Sequence, residues 1–151
     1  MSIEQEIHQN KFATPHNKFA LNLMNSSRRL ESFLKTHFKQ EGLSMQQYNI
    51  LRILRGSSPT PLSTLDIRER MIDKMSDTSR IVDRLIIKKL VTKKISAKDN
   101  RLVEVRITNK GLALLEKLKD TDEKIVSFLS SITTEEAKTL SNLLDKIVEI
   151  Q

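Results

Sequence analysis

Between Asp73 and Gly111 the chain passes from a basic helical segment straight into two short alternating runs, a succession that leaves few folds open. On a wheel of about 100° per residue, Thr78, Ile81, Val82 and Leu85 fall on one side of the segment. Ser76, Arg80 and Asp83 fall on the other, with Arg84 at the border. Asp73 is read as the N-cap of this helix. The runs Val91–Ser96 and Leu102–Thr108 then show period two. Val103, Val105 and Ile107 alternate with Leu102, Glu104 and Arg106, and Val91 and Ile95 supply the apolar side of the partner strand. Between the runs lies the polar tip Ala97–Arg101, carrying Lys98, Asn100 and Arg101. A two-stranded ribbon this short is not stable alone and must lean on helices. A helix with an outer hydrogen-bonding face, followed by a hairpin with a cationic tip, is the layout of a winged helix. It makes duplex DNA the expected partner.

Charge placement supports this. The net charge is +7. Residues Ser44 to Gly111 hold 15 Lys and Arg against 7 Asp and Glu, whereas the remainder holds 11 against 12. All the excess positive charge therefore sits in the middle segment, the distribution a bound polyanion favours. Cysteine is absent, which excludes disulfides, thiol nucleophiles, thiolate metal sites and cysteine-based redox sensing. His8, His16 and His37 lack metal-ligand spacing and read as solvent-facing side chains. No glycine-rich phosphate loop or nucleophile motif appears, so no enzyme, cofactor or metal is expected. No apolar run is long enough for a membrane helix. The N-terminus is polar and acidic, and the expected location is the cytoplasm.

The expected fold class is mainly α with a small β-hairpin. Residues 1–13 read as an arm without clear period, loose or partly helical. Thr14-Pro15 opens a first long helix over residues 14–42, striped with Phe19, Leu23, Leu30, Phe33, Leu34 and Phe38 and stopped by Gly42. Ser44 and Gln47 form a capping box for a second helix that buries Ile50, Leu51 and Leu54 and ends at Gly56. Ser57–Pro61 is a turn, and a short third helix runs from Ser63 to Met71. The third and fourth helices are joined by only a few residues, as in a helix-turn-helix. After the hairpin, Thr108 caps a fifth, long helix from about Asn109 to Ser131. Thr133 and Glu136 box the start of a sixth, with Leu140, Leu143, Leu144, Ile147 and Val148. The terminal helices carry more apolar surface than one chain can bury, which implies a dimer built from the first, fifth and sixth helices of two copies.

Together these residues resemble the MarR family of bacterial transcription regulators, over essentially the whole chain from Thr14 onward. The resemblance rests on Val82-Asp83-Arg84-Leu85 at the end of the recognition helix, Asp99-Asn100-Arg101 at the wing tip and Ile107-Thr108-Asn109-Lys110-Gly111 at the wing's return. The family usually places Gly between recognition helix and wing; here Lys89 stands there. The resemblance implies a winged helix-turn-helix over 44–111, flanked by dimerisation helices at 14–42 and 112–151. It implies a homodimer that reads a palindromic or near-palindromic operator.

The residues expected at DNA are Lys74, Ser76, Asp77, Ser79, Arg80 and Arg84 on the recognition segment, with Lys98, Asp99 and Arg101 on the wing. Arginine bonds guanine O6 and N7 in a fork. Asp77 accepts from a cytosine amino group or favours the helix N-terminus, and Asp83 pairs with a neighbouring arginine. Arg101 enters the minor groove, where narrow A·T-rich segments concentrate negative potential, with Asp99 orienting it by resemblance. Lys93 and Lys94 fit strand-surface and phosphate-contact roles equally. Family effectors are small aromatic or phenolic ligands bound between dimer helices and winged core. Phe19, Met24, Tyr48 and Met71 are candidate lining residues, although such side chains more often serve as plain core. Against this stand a winged-helix module for RNA or protein and a non-specific DNA-binding protein. RNA's deep, narrow major groove does not admit the helix.

Overall fold

The computed structural model of the chain describes residues 2–96 and 103–148. The wing tip, with Lys98, Asp99 and Arg101, lies outside the described residues. The elements run α1 (Ile3–Glu6), α2 (Pro15–Gln40), α3 (Met45–Ser57), α4 (Thr64–Arg70), α5 (Thr78–Ile87), β1 (Val91–Ile95), β2 (Val103–Ile107), α6 (Asn109–Lys117), α7 (Thr121–Phe128) and α8 (Thr134–Val148). Mainly helical with one antiparallel hairpin, the chain has the expected fold class. It divides into two compact units, residues 1–116 and 117–151.

In the first unit the helix boundaries follow from local chemistry. Thr14 caps α2 by accepting from the Asn17 amide at 3.2 Å, with Pro15 in the first turn where its missing N–H is no loss. The α2 C-terminus is a Schellman motif. The Gly42 amide donates to the Lys39 carbonyl, the Leu43 amide donates to that of Phe38, and Gly42 takes φ 68°. Leu43 and Phe38, the apolar pair that accompanies this motif, are both buried. Ser44 and Gln47 close the expected capping box on α3. That helix runs through Gly56 to Ser57, one residue beyond the expected stop. The arm is more ordered than its sequence suggested. Ile3 is buried, and Glu4 and Glu6 of α1 reach α2 through Lys18 (2.5 Å) and Asn25 (2.7 Å). The Lys18 ammonium on Glu4 is the main cause that lowers its carboxyl pKa to about 2. His37 is not solvent-facing: it is buried, its ring centroid 5.3 Å from that of Phe38.

The core under the reading elements comprises Ile50, Leu51 and Leu54 of α3, Ile67 of α4, Val82 and Leu85 of α5, and Val105 of β2, all buried. Each contributes about 1.5–3 kcal/mol relative to exposure. The hairpin pairs Val91 with Ile107 and Ile95 with Val103. Val91 and Val105 face the core, but Ile95 is 70% exposed, which corrects the expectation that it shares the buried side. It lies at the free end of the ribbon, next to the tip. The hairpin leans on more than helices. Leu62 exchanges both backbone bonds with Val105, at 3.1 and 2.8 Å, and so adds a one-residue third strand. Its only sequence signal was a single apolar residue between Pro61 and the α4 cap, Ser63.

The junction between α5 and the hairpin explains Lys89. The Lys89 amide donates to the Ile86 carbonyl (2.8 Å) and the Leu90 amide to that of Leu85 (3.0 Å), a second Schellman motif. Lys89 occupies its left-handed position at φ 61°. The geometry is the one glycine would serve, and lysine adopts it against the steric preference of an L-residue. Lys89→Gly is therefore expected to stabilise the fold by about 1 kcal/mol, seen as a higher urea midpoint at unchanged slope.

The single long helix expected from about Asn109 to Ser131 is two, α6 and α7. The Thr121 amide and hydroxyl both donate to the Leu118 carbonyl, at 3.1 and 2.6 Å, closing an i→i−3 turn where an α-helix would continue. Threonine's local bonding competes with the helical ladder. Thr133 and Glu136 form the expected capping box on α8, and the hydrogen bonds hold the Glu136 carboxyl below the usual carboxylate range. Leu140, Leu143 and Ile147 on α8, and Phe128 and Leu129 at the end of α7, keep exposed apolar surface.

Candidate nucleic-acid interface

The helix-turn-helix is α4 and α5, with the connection at residues 71–77. Ser63 caps α4 by accepting from the Asp66 amide at 3.0 Å, and its own hydroxyl and amide hold the Asp66 carboxyl below its ordinary range. The expected N-cap of the recognition helix, Asp73, is not its N-cap. The Asp73 carboxylate instead accepts from the Met75 amide (3.1 Å) and the Ser76 hydroxyl (2.5 Å), which locks an Asx turn. The cap is Asp77, which accepts from the Arg80 amide at 3.1 Å, and α5 begins at Thr78. Both aspartates suit a cap. Burial of Thr78 in the first turn of α5 goes with the later start.

This moves two of the sequence-derived residues. Lys74 and Ser76 lie on the turn leading into α5 rather than on its outer face. Ser79, Arg80, Asp83 and Arg84 do lie on the exposed side of α5. Ile87 joins them there at 81% exposure, an apolar member of the face that the wheel, stopped at Leu85, did not include.

The acidic residues near the arginines are committed elsewhere. Asp77 holds the helix start, and Asp83 pairs with Lys93 of β1 at 3.2 Å, not with an arginine as expected. Among the described residues, neither the Arg80 nor the Arg84 guanidinium has an ion-pair partner. The Asp83–Lys93 pair also ties the recognition helix to the wing's first strand. On the other strand, Arg106 donates to the Pro59 carbonyl and lies 3.7 Å from Glu104, so it is held against the α3–α4 turn.

Above the helix-turn-helix, a cleft of about 380 Å³ opens between α2, α3 and the residues just before the Asp73 turn. Leu30, Leu34, Met45, Asn49, Met71 and Ile72 are among its lining. The Asn49 side chain accepts from the Ile72 amide at 3.3 Å. Of the four sequence-derived lining candidates, only Met71 is there. Tyr48 stacks on Phe38 with ring centroids 4.2 Å apart, and Phe19 and Met24 are exposed on α2.

Comparison with known proteins places this arrangement. No family model matches the chain. It is 24% identical over 131 residues to the HTH-type transcriptional regulator MhqR of Bacillus subtilis, covering 86% of this chain and 89% of that protein. It is 26% identical over 132 residues to MgrA of Staphylococcus aureus, another HTH-type transcriptional regulator, covering 87% and 88%. Among solved structures, the S. aureus MepR–DNA complex shares the fold at a TM-score of 0.79 and 20% identity over 88% of this chain and 98% of that one. The organohalide-sensing regulator RdhR-CbdbA1625 in its 2,4-dichlorophenol-bound form does so at 0.81 and 19%, over 95% and 89%. A MarR transcription factor from Planctomyces limnophilus is 30% identical with a TM-score of 0.69, covering 89% of this chain and 98% of its own. With its helix-turn-helix, its hairpin and this relation, the chain belongs to the MarR family of DNA-binding transcription regulators.

Proposed function

We propose that the chain acts as a homodimer on a palindromic or near-palindromic operator, with α5 in successive major grooves and the wing in the adjacent minor groove. The observation that carries this reading is the outer face of α5. Its two arginines have no ion-pair partner among the described residues while the neighbouring aspartates are engaged. Ser79, Arg80 and Arg84 would then meet bases or phosphates, and Lys74 and Ser76 would approach from the preceding turn. Asp77 is best read as structural, since its carboxylate serves the helix start. Asp99 and Arg101 are assigned to the wing contact by their motif, and Lys98 by its place beside them in the sequence.

Dimerisation is supported by the half-exposed apolar side chains of α2, namely Phe19 and Leu23, and of α8. In this reading residues 44–111 form the DNA-binding domain, 14–42 and 112–151 the dimerisation helices and 1–13 an arm. The protein works by binding rather than catalysis, and it works in the cytoplasm. No helix among the described residues is long and apolar enough to cross a membrane. The cleft at Met71 is of the size that small-molecule sites have, roughly 300–1,000 Å³, and its lining is largely apolar. A small aromatic or phenolic effector fits it. Such a ligand shifts DNA binding only if its affinity differs between DNA-competent and incompetent states.

The test is a gel shift with duplex DNA from upstream of the protein's own gene, with excess unrelated competitor. Survival of one shifted band, with the steep salt dependence of phosphate contacts, supports a specific reader. Loss of binding to competitor equally at every sequence overturns it. Arg101→Ala is expected to weaken operator binding at least about tenfold, equivalent to ~1.4 kcal/mol, with the sedimentation coefficient and melting temperature unchanged. Unaltered affinity in an anisotropy titration removes the wing from the mechanism.

A further inference from the structure

We propose that Lys88 is a positioning residue that fastens the recognition helix to the end of α2 and so makes the protein selective for half-site spacing. This rests on the paired-reader proposal above. Lys88 is the C-cap of α5. Its ammonium donates to the Gly42 carbonyl, in the Schellman end of α2, and to Gln47 Oε1 at 3.1 Å. Gln47 is buried, and the same Oε1 accepts from the Ser44 amide in the capping box that starts α3. One ammonium thus joins the end of α2, the start of α3 and the end of α5, across 41 and 46 residues of sequence. An ammonium has three donors and no acceptor, so it can serve both oxygens at once.

The other side of the same junction is also held. The Lys88 carbonyl accepts from Lys110 Nζ at 3.0 Å, and the Lys89 carbonyl accepts from the Thr108 hydroxyl at 2.9 Å. The Thr108 amide donates to the Leu90 carbonyl at 3.0 Å. The C-terminal end of α5 is therefore gripped between the α2–α3 junction and the start of α6. Its N-terminal end carries the Asp77 cap and Arg80.

Burial of Val82 and Leu85 keeps α5 in the core whatever happens at Lys88. The lysine adds direction. Ten helical residues span roughly 15 Å, so a tilt of about 5° at the clamped end moves the other by roughly 1 Å. That displacement matters little at a single half-site, where the protein can shift bodily. It matters on a full operator, where two helices must meet grooves about 34–36 Å apart together.

The test uses the full chain and a half-site selected with it from random duplex DNA. Palindromes of that half-site at centre-to-centre spacings from about 9 to 12 base pairs, and a duplex with one half-site, are titrated by anisotropy. Wild type is expected to lose about tenfold in affinity per base pair away from its preferred spacing. Lys88→Met, which keeps the stem and removes the donors, is expected to flatten that profile to within about threefold. Its affinity for the single half-site and its sedimentation as a dimer should stay as in wild type. Lys88→Arg, which retains charge and donors, should restore much of the selectivity. Lys88→Gln, too short to reach both oxygens, takes the place of Lys88→Met if that variant does not fold.

A spacing profile in Lys88→Met identical to wild type overturns the inference. So does an equal loss on single and paired half-sites, which would mark Lys88 as a plain structural or phosphate-binding residue. A wild type indifferent to spacing defeats the paired-reader proposal itself, a result distinct from either.

Discussion

Arg80→Ala is expected to weaken binding to the selected operator roughly a hundredfold or more, and to relax base preference at one position of each half-site. A bidentate arginine–guanine contact discriminates by about 1–3 kcal/mol, and a two-fold reader loses it twice. The expectation is sharp because the competing role of Arg80 has been removed. An arginine between Asp77 and Asp83 in sequence could have served as an intrahelical ion pair, and its loss would then have touched stability more than recognition. In the structure Asp77 accepts from the Arg80 backbone amide and Asp83 pairs with Lys93. The Arg80 side chain is exposed, so the variant should melt within a degree or so of wild type, as surface changes of about ±0.5 kcal/mol do. The check is an anisotropy titration paired with selection from random DNA. Retained affinity and unchanged base preference would assign Arg80 to the solvent.

Gly111→Ala is expected to destabilise the fold by about 3 kcal/mol, lowering the melting temperature by roughly 10 °C. Gly111 sits in the first turn of α6, its amide donating to the Thr108 hydroxyl at 3.1 Å. A Cβ there would run into the Leu90 carbonyl and stand 2.7 Å from Ile107 Cγ1. The Leu90 carbonyl cannot retreat easily, because it accepts from the Thr108 amide and follows the left-handed Lys89. The substitution therefore presses on the joint where recognition helix, wing and α6 meet. DNA binding should fall with it, in proportion to the folded fraction. Circular dichroism against temperature checks the effect, and a melt unchanged from wild type would show that the joint yields. Gly56, where an added Cβ meets nothing within 4 Å, is the matched control. Gly56→Ala should be neutral or stabilising by up to about 1 kcal/mol.

Much of this architecture was legible in the chain. The capping boxes at Ser44 and Thr133, the Thr14-Pro15 start and the inner face of the recognition helix stand as their local patterns indicated. Each depends on contacts three or four residues apart, which one sequence displays directly. Asp73 and Asp77 both suit an N-cap, and only the fold shows that Asp73 closes a turn on Met75 and Ser76 while Asp77 accepts from the Arg80 amide. Thr121 broke a long apolar pattern through its own hydroxyl, a local event masked by the stripe around it. The partner of Asp83 was sought on its own helix and is found on the strand that packs beside it.

The sequence by itself determined the order of elements from α2 to the hairpin, the sign and location of the charge and the family to which the chain belongs. These follow from periodicity and from residue types at short spacing, where backbone geometry leaves little freedom. Only the tertiary structure decided which side chains on the reading face are engaged and which stand open. Asp83 meets Lys93, ten residues on, and Lys88 meets Gly42 and Gln47, more than forty residues back. No local pattern encodes such partners, because they are chosen by how helices and strands pack once the core has closed. The basic helix and hairpin announce a DNA reader, and its aim is set by bonds that exist only in the fold.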